Sequence, residues 1–477
     1  MTRHPIEGFG AQFNTNLFTT AGEPRALTAR HLATLQAAID NVQPGFSRIL
    51  VRRGLRADTA AGRRAPEFVA LLKTIELAQH AGAELNLTYW GQGPYADERR
   101  LRALRWPNRS FRDWPDPTKR KWPPELMDPR GITQPRVLMD RFAGVLEEIR
   151  RRGFDCVTSV TVQNEVNGAG VDIAKQRDQY LSMRFYELLY RFLDTALRER
   201  NLRDDIRFIA GDLVERGNST QDVWLRYLRR NMEVPRPHFP SVLDGYSVHV
   251  YWEPTAGAQG FPAKPERRLT NLERTARTLG LEAPIYVAEY GVRQVRARVK
   301  PGRVGGVRID EAPIAAFQHG WFNAIAAQRG CVGFSKWVLS RTDRAAGFGE
   351  WGMIGTPAGG FDRFPVYRVT RLFSHFVPPG WLANGLTRIS SAVIASRFAA
   401  ADGSDASMLV LNNAARARQQ KVQGLRANQN YFVVAWNRDG RGSLASLDPI
   451  RADATGAATV QLPAHGIVAL STRNPGI

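Results

Sequence analysis

The chain of 477 residues is 43% hydrophobic and 10% aromatic, and it carries a formal net charge of +21. This composition excludes an extensively disordered protein, and no apolar run approaches the ~20 residues that a membrane-spanning helix requires. The net charge leaves acidic partners open. Because the arginines are spread over predicted helices, we expect a solvated basic surface and no nucleic-acid partner.

The N-terminus, Met1 to Pro5, has no apolar signal segment, and the first predicted strand begins only a few residues later. We therefore expect a soluble protein and leave its localisation open, since secretion by a signal peptide outside this sequence is compatible with such a start. The sequence predicts no oligomeric state.

Residues 6–376 alternate short β-branched or aromatic runs with longer stretches of helical period, as repeated βα units around a parallel sheet do. Eight such units predict a (β/α)8 barrel, a TIM barrel, over residues 1–378. The predicted strands are 8–14, 46–54, 84–91, a run from Cys156 that stops at Asn164-Glu165, 206–213, 243–252, 283–291 and 331–339. Helices are predicted from Thr28, over 66–80, 135–152, 177–200, 220–231, 266–279 and 313–329, and from Pro365.

The connection after the third predicted strand, 92–131, is unusually long for a compact domain, and loops of this length are usually functional. It contains Trp106, Trp114 and Trp122 among prolines and arginines. These tryptophans are expected either to line one side of a cleft or to pack the loop onto the barrel.

From residue 379 to 477 the pattern changes to short strands separated by turn residues, including 392–396, 407–412, 431–436 and 466–470, with a turn at 437–440. This pattern predicts a small C-terminal β-sandwich domain. The two cysteines, Cys156 and Cys331, begin strands on opposite sides of the barrel. That separation is too large for a disulfide, so we expect two free, buried thiols.

Polar residues at the C-terminal ends of barrel strands face one shared pocket. The chain places Arg52, Tyr89, Trp90, Asn164, Glu165, His249, Tyr251, Glu289 and Trp337 at such positions. Two glutamates among them suggest cleavage of a glycosidic bond, which needs one carboxyl to protonate the leaving oxygen and one to act at the anomeric carbon. A glutamate beside Arg52 and Tyr251 is expected to stay ionised, and its partner near apolar surface to hold a proton.

Four sequence features together resemble the retaining glycoside hydrolases of clan A, such as families 5, 30 and 39. These features are Asn164-Glu165, His249-Val250-Tyr251, Ala288-Glu289-Tyr290-Gly291 and Trp337. The resemblance implies that Glu165 is the acid/base, Glu289 the nucleophile and Asn164 a ligand of the sugar 2-hydroxyl. It also implies that Tyr251 holds the nucleophile and that Trp337 forms the floor of the sugar subsite.

Arg52 matches an arginine of the second strand in such enzymes, with Arg53 as a rival, and Trp90, His249 and Trp351 are further candidate substrate-binding residues. The chain departs from the family pattern in its third strand, where many members have a histidine and this chain has Thr88-Tyr89-Trp90.

The segment after the seventh strand concentrates positive charge at the predicted catalytic rim. Its basic residues are Arg293, Arg296, Arg298, Lys300, Arg303 and Arg308, and Arg341 and Arg344 follow the eighth strand. An anionic sugar such as a uronate would bind there, with Arg293 as a candidate ligand.

We therefore expect a retaining glycosidase that acts on an oligo- or polysaccharide with β-linkages, without metal or cofactor. The alternatives are a catalytically silent carbohydrate-binding barrel and a basic nucleic-acid-binding protein.

Overall fold

The computed structural model describes residues 4–20, 23–24, 26–52, 55–90, 129–167, 183–214, 217–237, 239–253, 261–292, 303–304, 307–340 and 351–477. Within these ranges, none of the helices is both long and apolar enough to span a lipid bilayer. The tryptophans of the 92–131 connection and the basic residues Arg293, Arg296, Arg298, Lys300, Arg341 and Arg344 lie outside them.

Eight parallel strands close into a barrel, which confirms the predicted fold class. The strands are β1 (Gly8–Phe13), β2 (Phe46–Arg52), β3 (Glu84–Trp90), β4 (Val157–Thr161), β5 (Arg207–Val214), β6 (Gly245–Trp252), β7 (Ile285–Val292) and β8 (Cys331–Lys336). Each strand pairs with its neighbours in sequence, and β1 pairs with β8 to close the barrel.

Helices follow the strands around the barrel. They are α1 (Ala29–Val42), α2 (Pro66–His80), α3 (Pro129–Arg151), α4 (Met183–Arg198), α5 (Gly217–Leu228), α6 (Ala263–Leu279), α7 (Pro313–Gln328) and α8 (Pro365–Phe376). Helix α1 begins where the sequence predicted, because the Thr28 side chain accepts a hydrogen bond from the His31 backbone N–H at 3.2 Å. Two helices, α2 and α8, begin with proline, whose missing N–H costs nothing in a first turn.

The N-terminal end of the barrel is filled and closed by side chains. The rings of Phe46 and Tyr286 pack inside it with centroids 4.8 Å apart. The Tyr286 hydroxyl donates to Glu7 at 2.5 Å, and Arg207 donates to Glu7 and Glu84 at 2.6 and 3.0 Å. The opposite, C-terminal end is therefore the one that can hold a ligand.

The last hundred residues form the predicted β-sandwich. A six-stranded antiparallel sheet contains β9 (Trp381–Ser390), β10 (Val393–Ala400), β11 (Ala406–Asn412), β13 (Asn430–Asn437), β14 (Ser443–Arg451) and β16 (Gly466–Ser471). A two-stranded sheet pairs β12 (Arg418–Gln423) with β15 (Ala457–Leu462). Between these sheets lies an apolar core that includes Val410, Val422 and Val460. The turn predicted at 437–440 contains the start of a short helix, Asp439–Gly442.

The other face of the six-stranded sheet packs against the barrel helices. Ile394, Leu409 and Ile467 of the sheet belong to the same apolar core as α7 and α8. At the sheet edge, the Gln328 side chain donates to Ser396 at 2.9 Å and accepts from the Gly385 backbone N–H at 2.7 Å. The sheet is thus built into the outer layer of the barrel.

The two cysteines are free, as predicted. Cys331 is buried at the start of β8, whereas Cys156 is only partly buried, so the prediction of two buried thiols was wrong for Cys156. Cys156 precedes β4 rather than lying within it, where α2 and β3 leave it partly open to solvent.

Candidate active site

Three strands bring the predicted chemical residues together at the C-terminal end of the barrel. Asn164 and Glu165 follow β4, His249 and Tyr251 lie in β6, and Glu289 lies in β7. Glu165 has a positive φ of 48°, a left-handed conformation that few non-glycine residues adopt. Such backbone conformations concentrate at functional sites, because the surrounding structure must hold them.

Glu289 is held from two sides. Its Oε1 accepts a hydrogen bond from Arg48 Nη1 at 2.6 Å, and its Oε2 accepts one from the Tyr251 hydroxyl at 2.6 Å. The residue is only 4% exposed. A cation on one oxygen and a phenol on the other fix the direction of this carboxylate.

The His249 ring lies between the two glutamates. Its Nδ1 is 3.2 Å from Oε1 of Glu165 and 3.4 Å from Oε2 of Glu289. One ligand oxygen of each glutamate and this nitrogen all lie within 4.8 Å of one another. The two carboxyl groups therefore face the same small volume, with Glu165 the more exposed of the pair.

The arginine that contacts Glu289 is Arg48, which the sequence did not predict. Arg48 and the predicted Arg52 both lie in β2, but the Arg48 guanidinium is fully buried and contacts Glu289, whereas the side chain of Arg52 lies outside the described residues. Arg48 also donates from Nε to Thr88 at 2.7 Å and from Nη2 to Asn164 at 2.6 Å. Burial alone would lower the pKa of Arg48, but Asp212 and Glu289 raise it above its ordinary value.

A second residue that the sequence did not predict is Asp212 in β5. It is fully buried, its Oδ2 accepts a hydrogen bond from Arg48, and its Oδ1 lies 3.5 Å from Nε2 of His249. Burial alone would raise the pKa of Asp212, but Arg48 and His249 hold it below the ordinary value. Asp212 is therefore an anion at neutral pH.

The charge of His249 follows from these neighbours. Burial alone would lower the pKa of this imidazole, but Glu289 and then Asp212 raise it to about 9. The ring is therefore protonated at neutral pH and donates through Nδ1–H to Glu165. The sequence placed His249 at the site, but only the structure shows the two buried carboxylates that raise its pKa.

Two carboxylates and an imidazole form a donor set that divalent transition metals can use. A metal-binding imidazole must offer an unprotonated nitrogen. Because the pKa of His249 is about 9, Nδ1 carries a proton at neutral pH. Metal binding to Nδ1 would therefore require the loss of this proton.

The partly exposed indoles of Trp337 and Trp351 form an aromatic pair after β8, with ring centroids 6.5 Å apart. The peptide bond between Trp337 and Val338 is cis. Buried Lys336 donates from Nζ to the backbone carbonyls of Trp337 and Trp351. This lysine therefore connects the end of β8 to the segment that carries Trp351.

The structure does not place every predicted residue. Tyr89 is buried and stacks on Phe142 with centroids 4.5 Å apart, so its ring packs β3 against α3. Trp90 ends β3, but its side chain lies outside the described residues, as does the whole of Arg293.

Neither a protein-family model nor a curated protein matches the sequence. Solved structures match its fold over nearly the whole chain. The catalytic domain of a family 30 xylanase C from Talaromyces cellulolyticus has a TM-score of 0.65 at 12% identity, covering 98% of this chain and 97% of that chain. A family 30 endoxylanase from Clostridium papyrosolvens C71 has a TM-score of 0.63 at 12% identity, with coverages of 98% and 97%.

A family 39 glycoside hydrolase from the gut symbiont Bacteroides cellulosilyticus WH2 has a TM-score of 0.55 at 13% identity, covering 97% of this chain and 81% of that chain. At these identities the matches show the fold. The chain therefore shares the fold of these glycoside hydrolases, which confirms the predicted resemblance to families 30 and 39 at the level of the fold.

Proposed function

We propose that this protein is a retaining glycoside hydrolase that cleaves a β-linked oligo- or polysaccharide by double displacement. The observation that carries the proposal is the pair Glu165 and Glu289, whose oxygens lie within 4.8 Å of each other at the ligand-binding end of the barrel. Retaining glycosidases need carboxyl groups separated by roughly 5 to 5.5 Å, whereas inverting enzymes need about 6.5 to 9.5 Å to admit a water molecule.

In the first step, Glu289 attacks the anomeric carbon while Glu165 delivers a proton to the departing glycosidic oxygen. The roles are divided in this way because Glu289 is buried and receives hydrogen bonds on both oxygens, from Arg48 and Tyr251. Glu165 is more exposed, so it can exchange protons with solvent and with the leaving group.

In the second step, water replaces the leaving group and Glu165 takes its proton as the water attacks the anomeric carbon. The bond between the sugar and Glu289 then breaks, and the configuration at the anomeric carbon is restored. In the ester intermediate Glu289 carries no negative charge. It therefore no longer repels the ionised form of Glu165, which is the form that acts as base.

Substrate contacts are proposed for Asn164, Trp337 and Trp351. The Asn164 Oδ1 already accepts a hydrogen bond from Arg48, so its amide NH₂ is the group that can donate to a sugar hydroxyl. The indoles of Trp337 and Trp351 offer apolar faces on which a sugar ring can stack. Binding of an anionic sugar by Arg293 stays a prediction, as do contacts from Arg52 and Trp90.

The experiment that tests the proposal is a screen of glycans with product analysis by mass. Xylans come first because two of the solved structures of the same fold are xylanases, followed by arabinose-bearing, neutral and uronate-bearing glycans. Proton NMR of the first product then gives the anomeric configuration. An inverted product would contradict the double displacement.

Variants of the two glutamates test the residue assignment. Glu289→Ala should abolish turnover with the fold intact, and Glu165→Ala should spare aryl glycosides whose leaving group needs no proton. The matched control is Glu76→Ala, which removes an exposed glutamate on α2 and should leave activity unchanged. If both site variants retain ordinary activity on a natural glycan, the assignment is wrong.

A catalytically silent carbohydrate-binding barrel is less favoured, because binding alone does not require two carboxyl groups directed at one point. Its signature would be glycan binding that survives in Glu289→Ala, with no product from wild-type protein. Sequence-independent binding to DNA at physiological salt would instead favour the nucleic-acid alternative.

A further inference from the structure

Asp212 is connected to both proposed catalytic glutamates through other residues. Arg48 contacts Asp212 with one nitrogen and Glu289 with another. His249 faces Asp212 with Nε2 at 3.5 Å and the two glutamates with Nδ1. One fully buried carboxylate thus lies next to both cations of the site.

The backbone of β5 is distorted where it presents Asp212. Gly211 has a φ of 126° and Asp212 a φ of 48°, and the pairing of β5 with β6 shifts register between Ala210 and Leu213. The Gly211 N–H donates to the Tyr186 hydroxyl at 2.8 Å. Bulges of this kind beside active sites redirect a side chain, here the Asp212 carboxylate, into the barrel.

The bulge is also fixed from β6. The backbone N–H of Asp212 donates to Ser247 Oγ at 2.7 Å, in place of a ladder hydrogen bond. At Gly211 an added Cβ would lie 2.6 Å from the Ser247 backbone oxygen, so only glycine fits. Gly211 and Ser247 therefore hold Asp212 in an uncommon backbone conformation.

The balance of charge depends on this residue. The site contains three carboxylates, those of Glu165, Asp212 and Glu289, and two cations, Arg48 and protonated His249. Asp212 approaches the ring nitrogen that points away from the glutamates. A carboxylate beside one ring nitrogen determines the orientation of the imidazole and which of the two ring nitrogens is protonated.

We propose that, in the reaction proposed above, Asp212 is a positioning residue that holds the His249 ring with Nδ1 between the two glutamates and holds Arg48 against Glu289. Asp212 does not touch the reacting atoms in this scheme. Its effect reaches them through the imidazolium and the guanidinium.

The test is the isosteric substitution Asp212→Asn in the full-length protein. We expect kcat to fall about 10- to 100-fold, as for other residues that orient a site group, with a much smaller change in KM. Because Asp212 is one of the groups that raise the pKa of His249, the alkaline limb of the kcat/KM profile should move to lower pH. The other charged groups facing the ring, Glu165 and Glu289, are unchanged.

Asp194→Asn is the matched control. Asp194 on α4 is nearly buried and paired with Arg198 and Arg203 at 2.9 and 2.8 Å, but it lies outside the barrel site. This variant should lose stability without a change in the pH profile. If Asp212→Asn has the kcat and pH profile of wild type, the proposal is overturned.

A second measurement does not depend on turnover. In protein labelled with ¹⁵N-histidine, the ring signals assigned to His249 by their loss in His249→Gln should show an imidazolium at pH 8 in wild type and a lower titration midpoint in Asp212→Asn. A neutral His249 ring at pH 7 in wild type would overturn the proposal even if Asp212→Asn failed to fold. If no glycan is cleaved at all, the proposed function fails, and this measurement still decides the role of Asp212.

Discussion

Replacing Arg48 with methionine should lower the free energy of unfolding by roughly 3–5 kcal/mol, because it removes the cation that pairs with the buried carboxylates of Asp212 and Glu289. The guanidinium is fully buried, and it donates to Thr88, Asn164, Asp212 and Glu289. Methionine fills much of the same volume but satisfies none of these acceptors. With an unfolding entropy of roughly 2.1 cal/mol/K per residue over 477 residues, Tm should fall by about 3–5 °C.

The loss should depend on pH. Burial opposes ionisation of Asp212, but Arg48 and His249 hold its pKa below the ordinary value. A lowered carboxyl pKa stabilises the fold above the unfolded value, ~3.9, and this stability is lost as the pH falls through the folded value. In Arg48→Met the buried carboxylates can escape part of the cost by taking up protons. The difference between wild type and variant should therefore be largest near pH 7 and smaller near pH 4.5.

Urea unfolding and thermal melts at these two pH values measure the difference. The control is Arg56→Met, which removes an exposed arginine that hydrogen-bonds Asp58 on the surface and should leave the stability almost unchanged. The reasoning would be refuted by an Arg48→Met protein within about 1 kcal/mol of wild type at pH 7. A difference that grows as the pH falls would refute it equally.

Three further outcomes are expected. Tyr251→Phe removes the hydroxyl that donates to Glu289 at 2.6 Å. Because a hydrogen bond to a charged group is worth about 1.5–3 kcal/mol, kcat on the best glycan should fall about 10- to 100-fold. An unchanged kcat would contradict the role of this contact. Burial raises the pKa of Cys156 and of Cys331 to about 12. A disulfide reagent at pH 8 should therefore modify both thiols quickly only after unfolding. Rapid modification of the native protein would contradict these raised pKa values. Gly211→Ala places a side chain at a φ of 126° and should cost about 1–3 kcal/mol in a thermal melt, whereas a melt like that of wild type would mean that the bulge tolerates a side chain.

The barrel could be predicted from the sequence because strand and helix periods alternate along it without interruption. Seven of the strands had explicit predicted bounds, and each end lies within three residues of its position in the structure. The grouping of Glu165, His249, Tyr251 and Glu289 followed from the same pattern, since the ends of parallel strands meet at one edge of a barrel. Their catalytic roles stay predictions until the variants are measured.

Arg48 and Asp212 were missed for different reasons. Position at the end of a strand selected Arg52, but the guanidinium that contacts Glu289 belongs to Arg48, which lies earlier in β2. For Asp212 a signal was present, because a Gly-Asp pair interrupts the apolar run of β5 and a glycine inside a strand often marks a bulge. Pairing across the barrel, between residues separated by 164 positions, could not be deduced from local patterns.

Helix α7 determines whether the barrel can be separated from the C-terminal β-domain. Every residue from Ile314 to Ala327 is buried, because the helix has the barrel on one side and the C-terminal sheet with α8 on the other. Gly320 allows the sheet to approach so closely that a Cβ there would lie 2.5 Å from Ile467. A chain cut at the predicted boundary after residue 378 would expose this helix to water. The β-domain and the barrel thus share one apolar core, and the two should be expressed and engineered together.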